Sequence, residues 1–393
     1  MKGFELVVPG RIVFGENKID TLSKYILNFG TNILFLCGSN SLKASGTLDR
    51  IIDKFEENGI RYEIQTVLGE PEADTIDMLV NEYRQKEVDV VVSVGGGSTI
   101  DTGKAVSAML AQEGSITDYL EGVGEKKPSG KKIPFIACPT TSGTGSECTK
   151  NAVIKGVKGK VRFKKSLRHD NYMPDVAIVD PVLTLGCPKN VTRNSGIDAF
   201  CQILEAYVCT NSNGFTDTLA YKGLRRIADN IVKVYNNPDD LEARSNVAYG
   251  SLLSGICMAN AGLTTIHGFA GVIGGLFDGI PHGAVCASLL YGATVVNLQK
   301  IKDFEPNNPA GYKYARVGAY LMGATYYPDR HDIYFRAIVE TLKDWQKKMD
   351  IKPLREYGIT RDDFWEILDG AAQRYNPVKL TDSEMEKILE YSY

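Results

Sequence analysis

Five short strand-like runs in the first 180 residues, with helical stretches set between them, constrain the fold of this chain more than any other feature. They are Ile33–Cys37, Tyr62–Val67, Val88–Val94, Ile133–Cys138 and Val176–Val179. Most are almost continuously apolar, which is how strands buried on both faces of a parallel sheet read. Among the intervening helical stretches, Thr47–Asn58 places Leu48, Ile51, Ile52 and Phe55 on one face, and Ala73–Gln85 and Thr99–Leu110 follow. Such alternation predicts a parallel sheet with helices on both sides. Ahead of it, Phe4–Phe14 alternates enough for a strand or two, turned at Pro9-Gly10.

After Val179-Asp180-Pro181 the strand-like runs nearly vanish and helical periodicity takes over. Helices are expected over Ala199–Val208, Thr216–Asn230, Leu241–Ala261, Ile333–Met349 and Asp362–Gln373, with a loop at Lys302–Tyr312. Thr381-Asp382-Ser383-Glu384 is a capping sequence for a last short helix. At 393 residues the chain is too long for one ordinary core. Two domains are therefore expected, an α/β half over residues 1–185 and an all-helical half over 186–393, meeting within Pro181–Pro188.

Composition serves mainly to exclude. A formal charge of −3 gives no reason to expect a nucleic acid or an anionic membrane as partner. No apolar run reads as long enough to span a bilayer, and the N-terminus does not read as a basic, small-residue-flanked apolar segment. The eight cysteines are scattered singly with no Cys-x-x-Cys pair, which fits a reducing cytoplasm.

Two loops rich in small residues follow strands. Gly95-Gly96-Gly97-Ser98 lies between the third strand and a helix, where bare backbone N–H groups and a helix N-terminus can receive a phosphate. The competing reading is a tight turn, and the run is not the Gly-x-Gly-x-x-Gly fingerprint. Pro139–Glu147, with Thr140, Thr141 and Thr144, follows the fourth strand; alone it reads as a polar turn that caps a helix. Strand ends on one edge of a parallel sheet share a crevice, so both loops can address one ligand.

Of the four histidines, His267 and His282 fall in the helical half near Asp198 in sequence. Neutral imidazole and carboxylate are donors that zinc and ferrous iron take. Asp198 and Gln202 stand at i and i+4 and leave one helical face. Spacing alone leaves two readings open: a metal centre, or ordinary core and surface residues.

Taken together, these residues resemble the iron-containing (group III) alcohol dehydrogenases, within the larger dehydroquinate synthase-like group. The resemblance begins at Pro9–Gly15 and includes Asp89–Lys104, Pro139–Glu147 and Asp180-Pro181. It continues through Gly196–Ala199, Glu205–Tyr207, Pro281–Gly283 and Asn376–Thr381. It implies a Rossmann-like parallel sheet followed by a helical bundle. It also implies an NAD(P)-linked oxidoreductase acting on a small alcohol or aldehyde, a homodimer, and one divalent metal, Fe2+ or Zn2+. Gly95, Gly96, Gly97 and Ser98 then hold the pyrophosphate, Thr140, Thr141 and Thr144 lie by the nicotinamide and its ribose, and Lys164 or Lys165 falls near a cleft lysine. Asp101 and Lys104 match the pattern as structural residues as readily as functional ones. Asp198, His267 and His282 fall on metal-ligand positions, from which the ion would polarise the substrate oxygen for hydride transfer.

Two positions depart from the family pattern. Gln202 stands where a fourth ligand histidine is usual and is expected to bind weakly at most, and Gly271 stands where many members carry a proton-moving histidine. NAD-using relatives place an aspartate after the first strand. Here that stretch is Cys37-Gly38-Ser39-Asn40-Ser41, without a carboxylate and with Lys43 close by, which predicts a preference for NADPH. Two other readings are a lyase of the dehydroquinate synthase kind, and a metal-free nucleotide-binding relative. The apolar Gly268–Gly271 segment argues against the first, and the retained Asp198, His267 and His282 against the second.

Overall fold

The computed structural model describes residues 3–38, 41–159 and 161–393. The first half runs through β1 (Arg11–Phe14), α1 (Leu22–Ile26), β2 (Asn32–Gly38), α2 (Ser41–Ala44), α3 (Thr47–Glu57), β3 (Arg61–Val67) and α4 (Ala73–Tyr83). It continues with β4 (Val90–Gly95), α5 (Gly97–Met109), β5 (Phe135–Pro139), β6 (Asn151–Lys158), β7 (Val161–Arg168) and β8 (Val176–Val179). Six of these strands form one all-parallel sheet in the order β1-β8-β5-β4-β2-β3.

The apolar runs explain this sheet. Along β2, Leu34 and Leu36 face one core while Ile33, Phe35 and Cys37 face the other, and all five are buried. A strand with both faces covered has no reason to alternate polar and apolar residues. From β2 the chain moves outward to β3, then returns to β4 on β2's other flank. That reversal opens a crevice at the carboxyl ends of β2 and β4, where ligands of open α/β sheets bind. The register sets the loops side by side: Cys37 pairs with Val94, and Gly95 pairs with Pro139. Thus the Gly38, Gly95 and Pro139 loops leave three adjacent strands at one edge.

Every element after Pro188 is helical: α6 (Lys189–Val208), α7 (Gly214–Asn236), α8 (Leu241–Ala261), α9 (Thr265–Leu276) and α10 (His282–Phe304), then α11 (Pro309–Leu321), α12 (His331–Lys348), α13 (Phe364–Gly370) and α14 (Asp382–Ser392). They share a core that includes Phe200, Ile227, Phe269 and Leu289. Thr381 caps α14 through the expected capping box with Glu384.

Several expectations are corrected. Within Phe4–Phe14 only Arg11–Phe14 is a strand, held to β8 at the sheet edge. The hairpin β6–β7 was not foreseen. Its strands interleave lysines and arginines on both faces, so the alternation of Ala152, Ile154, Phe163 and Leu167 is hard to see. Helix α9 is glycine-rich, with four glycines among its twelve residues, and carries a weak helical signal. Helix α10 is apolar on nearly all sides because it is buried. By length and hydropathy it could cross a membrane, contrary to the expectation that no apolar run is long enough, yet 78% of its apolar window is buried in the molecule. The expected loop at Lys302–Tyr312 shrinks to residues 305–308, and the helix expected to reach Gln373 ends at Gly370.

Candidate active site

One face of α6 supplies Asp198, Gln202 and Glu205, three to four residues apart and all at least 97% buried. Glu205 joins this helix to the next two features of the site. Its Oε1 accepts hydrogen bonds from Thr264 Oγ1 (2.6 Å) and the Ile266 N–H (2.7 Å), capping the start of α9. Its Oε2 lies 2.5 Å from His267 Nδ1. A carboxylate bonded to Nδ1 fixes the ring so that Nε2 is free for another partner. Nε2 of His267 lies 3.3 Å from Asp198 Oδ1. His282, the first residue of α10, brings its Nε2 to 3.9 Å from the same oxygen.

Gln202 is hydrogen-bonded at both ends of its amide. Its amide nitrogen donates to Asp198 Oδ2 at 2.9 Å, and its amide oxygen accepts from Ser254 Oγ of α8 at 2.7 Å. The oxygen that would bind a cation is thereby engaged elsewhere, and the side chain steadies Asp198. Cys286, one helical turn after His282, lies in the cluster instead; its sulfur is 3.6 Å from His282 Nε2 and 3.8 Å from His267 Nε2. One donor atom from each of Asp198, His267, His282 and Cys286 falls within 4.8 Å of the other three. Sequence reasoning missed Glu205 as a partner and Cys286 altogether. The one available signal was helical spacing, i+7 from Asp198 and i+4 from His282.

Burial dominates the electrostatics here. It pushes the Asp198 carboxyl up, but the contact with His267 and the nearness of His282 outweigh it and hold the group below its ordinary value. Burial pushes His282 down to about 4, so at neutral pH it is uncharged and its lone pair is free. Asp198 Oδ1 is buried without a hydrogen-bond partner, as is His282 Nδ1. An orphaned carboxylate oxygen ringed by imidazole nitrogens is what a divalent cation would satisfy, so these residues fit a metal ion.

The three glycines after β4 divide into two kinds. A Cβ on Gly95 would meet Thr99 at 2.4 Å, and one on Gly97 would meet Thr144 at 2.6 Å. Packing therefore demands both. Among the described residues, a Cβ on Gly96 would meet nothing closer than Thr141 at 3.6 Å, so none of them accounts for its missing side chain. That gap fits a ligand brought against the backbone at the start of α5.

The second loop is held in place from α5. Buried Lys104 donates to the Ser146 carbonyl (2.8 Å), Thr149 Oγ1 (2.7 Å) and the Asn151 carbonyl (2.8 Å), while Asp101 accepts from Ser146 Oγ and from the Val153 N–H. Thr140 is buried, its N–H bonded to the Gly95 carbonyl at 2.9 Å. Gly38 ends β2 and Ser41 begins α2 in an exposed position; Ser39 and Asn40 lie outside the described residues. Lys164 of β7 faces the cleft and pairs with Glu70 at 2.6 Å. Lys165 does not: strand alternation turns it to the other side of the hairpin, where it is exposed.

The two groups of residues open on one space. A cleft of about 370 Å³ has Gly97, Ser98 and Thr144 on one wall and Gln202, His267 and His282 on the other. Gly271 also lines it, with open space where a Cβ would stand.

Two family descriptions match the chain, "Iron-containing alcohol dehydrogenase" over residues 9–181 and the family's C-terminal domain over residues 192–393. The chain belongs to the iron-containing alcohol dehydrogenase family. It is 30% identical to an NADPH-dependent butanol dehydrogenase of Clostridium saccharobutylicum, over 98% of this chain and 97% of that protein. It is 32% identical to an NAD-dependent methanol dehydrogenase of Bacillus methanolicus, over 72% of each. A crystal structure of 1,3-propanediol oxidoreductase superposes with a TM-score of 0.87 at 27% identity, over the full length of both chains. Membership makes this dehydrogenase an oxidoreductase, and its fold is that of the family.

Proposed function

We propose that this alcohol dehydrogenase interconverts small alcohols and aldehydes by hydride transfer with a nicotinamide dinucleotide, NADP(H) in preference to NAD(H). One divalent ion, Fe2+ or Zn2+, would be held by Asp198, His267 and His282. The observation that supports this reading is the shared cleft, lined by Gly97 and Ser98 of the glycine loop and by His267 and His282, whose donor atoms cluster with that of Asp198. When bound, such an ion supplies Lewis acidity toward an alcohol oxygen.

The residues of the chain then have distinct tasks. Gly96 lets the pyrophosphate approach the backbone, and Ser98 and Thr144 line the passage from that loop to the cluster. Glu205 fixes the His267 ring, and Gln202 steadies Asp198 from behind. Walls on both sides of the cleft align the reacting carbon with the nicotinamide and limit water, while the cofactor carries the hydride.

The cofactor preference rests on the end of β2. No carboxylate stands there to repel a 2′-phosphate, and Lys43 follows closely in α2. Relatives of both preferences exist, NADPH-dependent and NAD-dependent. We also read the protein as a homodimer, because β1 leaves one edge of the sheet unpaired among the described residues and Ile12 is exposed there. A cytoplasmic location is supported by the eight cysteines, all unpaired and seven of them buried.

The test is steady-state reduction of a panel of short aldehydes after loading with iron or zinc, with each cofactor in turn. The reading expects turnover and a higher kcat/KM with NADPH. A higher value with NADH would overturn the preference, and no turnover with either cofactor would overturn the reaction.

A further inference from the structure

Building on the metal-centre reading above, we propose that Cys286 is a metal ligand, so that this protein holds its divalent ion with one carboxylate, two imidazoles and a thiolate. Geometry carries the argument. Tetrahedral bonds of ordinary zinc lengths require about 3.4 Å between nitrogen or oxygen donors and about 3.6 Å between sulfur and nitrogen. Here Asp198 Oδ1 lies 3.3 and 3.9 Å from the two Nε2 atoms, and the Cys286 sulfur lies 3.8 and 3.6 Å from them. Four of the six donor–donor distances are thus near those of a single ion's shell, and all four donors, from three helices, lie within 4.8 Å of one another.

Internal hydrogen bonding does not explain this arrangement. A thiol has one proton and cannot donate to both imidazoles at once. Asp198 Oδ1, 99% buried with the rest of its residue, has no hydrogen-bond partner of good geometry among the described residues, although His267 Nε2 lies 3.3 Å away. His267 directs its Nδ1 to Glu205, which leaves Nε2 pointing inward. The four converging atoms have fewer protons than lone pairs, and a cation resolves the deficit.

The position of Gln202 completes the argument. It stands one turn from Asp198 on α6, but both ends of its amide are taken by Asp198 and Ser254. The fourth donor therefore comes from the opposite side, from α10, one turn after His282. A thiolate is a softer donor than an imidazole, so this set favours zinc over iron. Two anionic donors also neutralise a divalent charge. Binding converts the Cys286 thiol to thiolate, with its proton released to solvent.

Cobalt(II) substitution tests the proposal. The metal-stripped protein is loaded with one equivalent of cobalt, and its spectrum is compared with that of Cys286→Ser. The expected result is a near-ultraviolet sulfur-to-cobalt charge-transfer band in the unaltered protein. In the variant that band should disappear while the visible ligand-field bands persist, and zinc affinity should fall by more than the roughly 10–100-fold typical of losing an outer partner. Cobalt bound with ligand-field bands but no charge-transfer band would overturn the proposal and leave the Asp198–His267–His282 site standing. Failure to bind cobalt at all would instead overturn the metal-centre reading itself. Should Cys286→Ser not fold, zinc X-ray absorption of the unaltered protein decides: one sulfur at about 2.3 Å supports the ligand, and only nitrogen and oxygen neighbours refute it.

Discussion

The glycine loop and the Asp198–His267–His282 cluster, the proposed cofactor crevice and metal centre, meet at one cleft but are built on opposite principles. The crevice is made by removing side chains: Gly95 and Gly97 are small so that Thr99 and Thr144 can pack, and Gly96 is small with no neighbour among the described residues to account for it. The cluster is made by adding them, from α6, α9 and α10, with His267 bonded to Glu205 of α6 and Asp198 bonded to Gln202, itself held by Ser254 of α8. A crevice of backbone depends on one strand–helix junction. A cluster of side chains depends on the packing of a whole helical half, and it fails when a single donor is lost.

The sharpest way to break that contrast is to remove a donor. His267→Ala deletes one of the few strong donors and leaves the Oε2 of buried Glu205 without its imidazole partner. Bound metal should fall below detection by elemental analysis, and turnover should drop by about 10³-fold or more, in keeping with the several kcal/mol that metal catalysis supplies. Residual turnover within tenfold of the parent would show that the cluster is not the catalytic centre.

Next comes a paired test of the glycine loop. Gly96→Val has room beside Thr141 and should fold, with unchanged circular dichroism, yet lose cofactor affinity by about 100-fold or more. Gly97→Val meets Thr144 and should instead lower the melting temperature. If both variants bind cofactor normally, the crevice is only a turn.

A smaller effect probes the support behind the cluster. Glu205→Gln keeps the shape but weakens the hold on His267 Nδ1, and metal affinity measured by competition with a chelator should fall by roughly 10–100-fold. An unchanged affinity would mean that the His267 ring is positioned by packing alone. The smallest effect is expected at the end of β2. Gly38→Asp meets nothing among the described residues closer to its Cβ than Thr99 Oγ1 at 3.8 Å, and should shift the ratio of kcat/KM toward NADH by about tenfold, or about 1.4 kcal/mol.

The same contrast explains what could be read from the sequence. The crevice is local: strand, glycines and helix are contiguous in the chain, so Val88–Ser98 announces both the fold and the loop. The parallel sheet was legible for a similar reason, since strands such as Val90–Gly95 are buried on both faces and carry no polar interruption beyond Ser93. The hairpin β6–β7 was not, because its apolar positions are spaced among cations. In the cluster, the histidines stood out by scarcity and Asp198 by its surroundings. Cys286 did not, being one of eight scattered cysteines in a helix that is apolar almost all round. The bonds that turn Gln202 to its neighbours include one from Ser254, more than fifty residues away on α8, and no spacing rule reaches that far. The choice between Lys164 and Lys165 turned on the phase of β7, which only the hairpin register supplies.

The central claim is that one divalent ion in the Asp198–His267–His282 cluster is required for the chemistry in this cleft. Stepwise stripping with chelator, with metal content and alcohol oxidation measured on the same samples, tests it most directly. The account predicts one equivalent of metal per chain after purification in metal-supplemented buffer, and activity that falls in proportion as metal is removed and returns when it is restored. Alcohol oxidation continuing at the parent rate with metal below a tenth of an equivalent would contradict it.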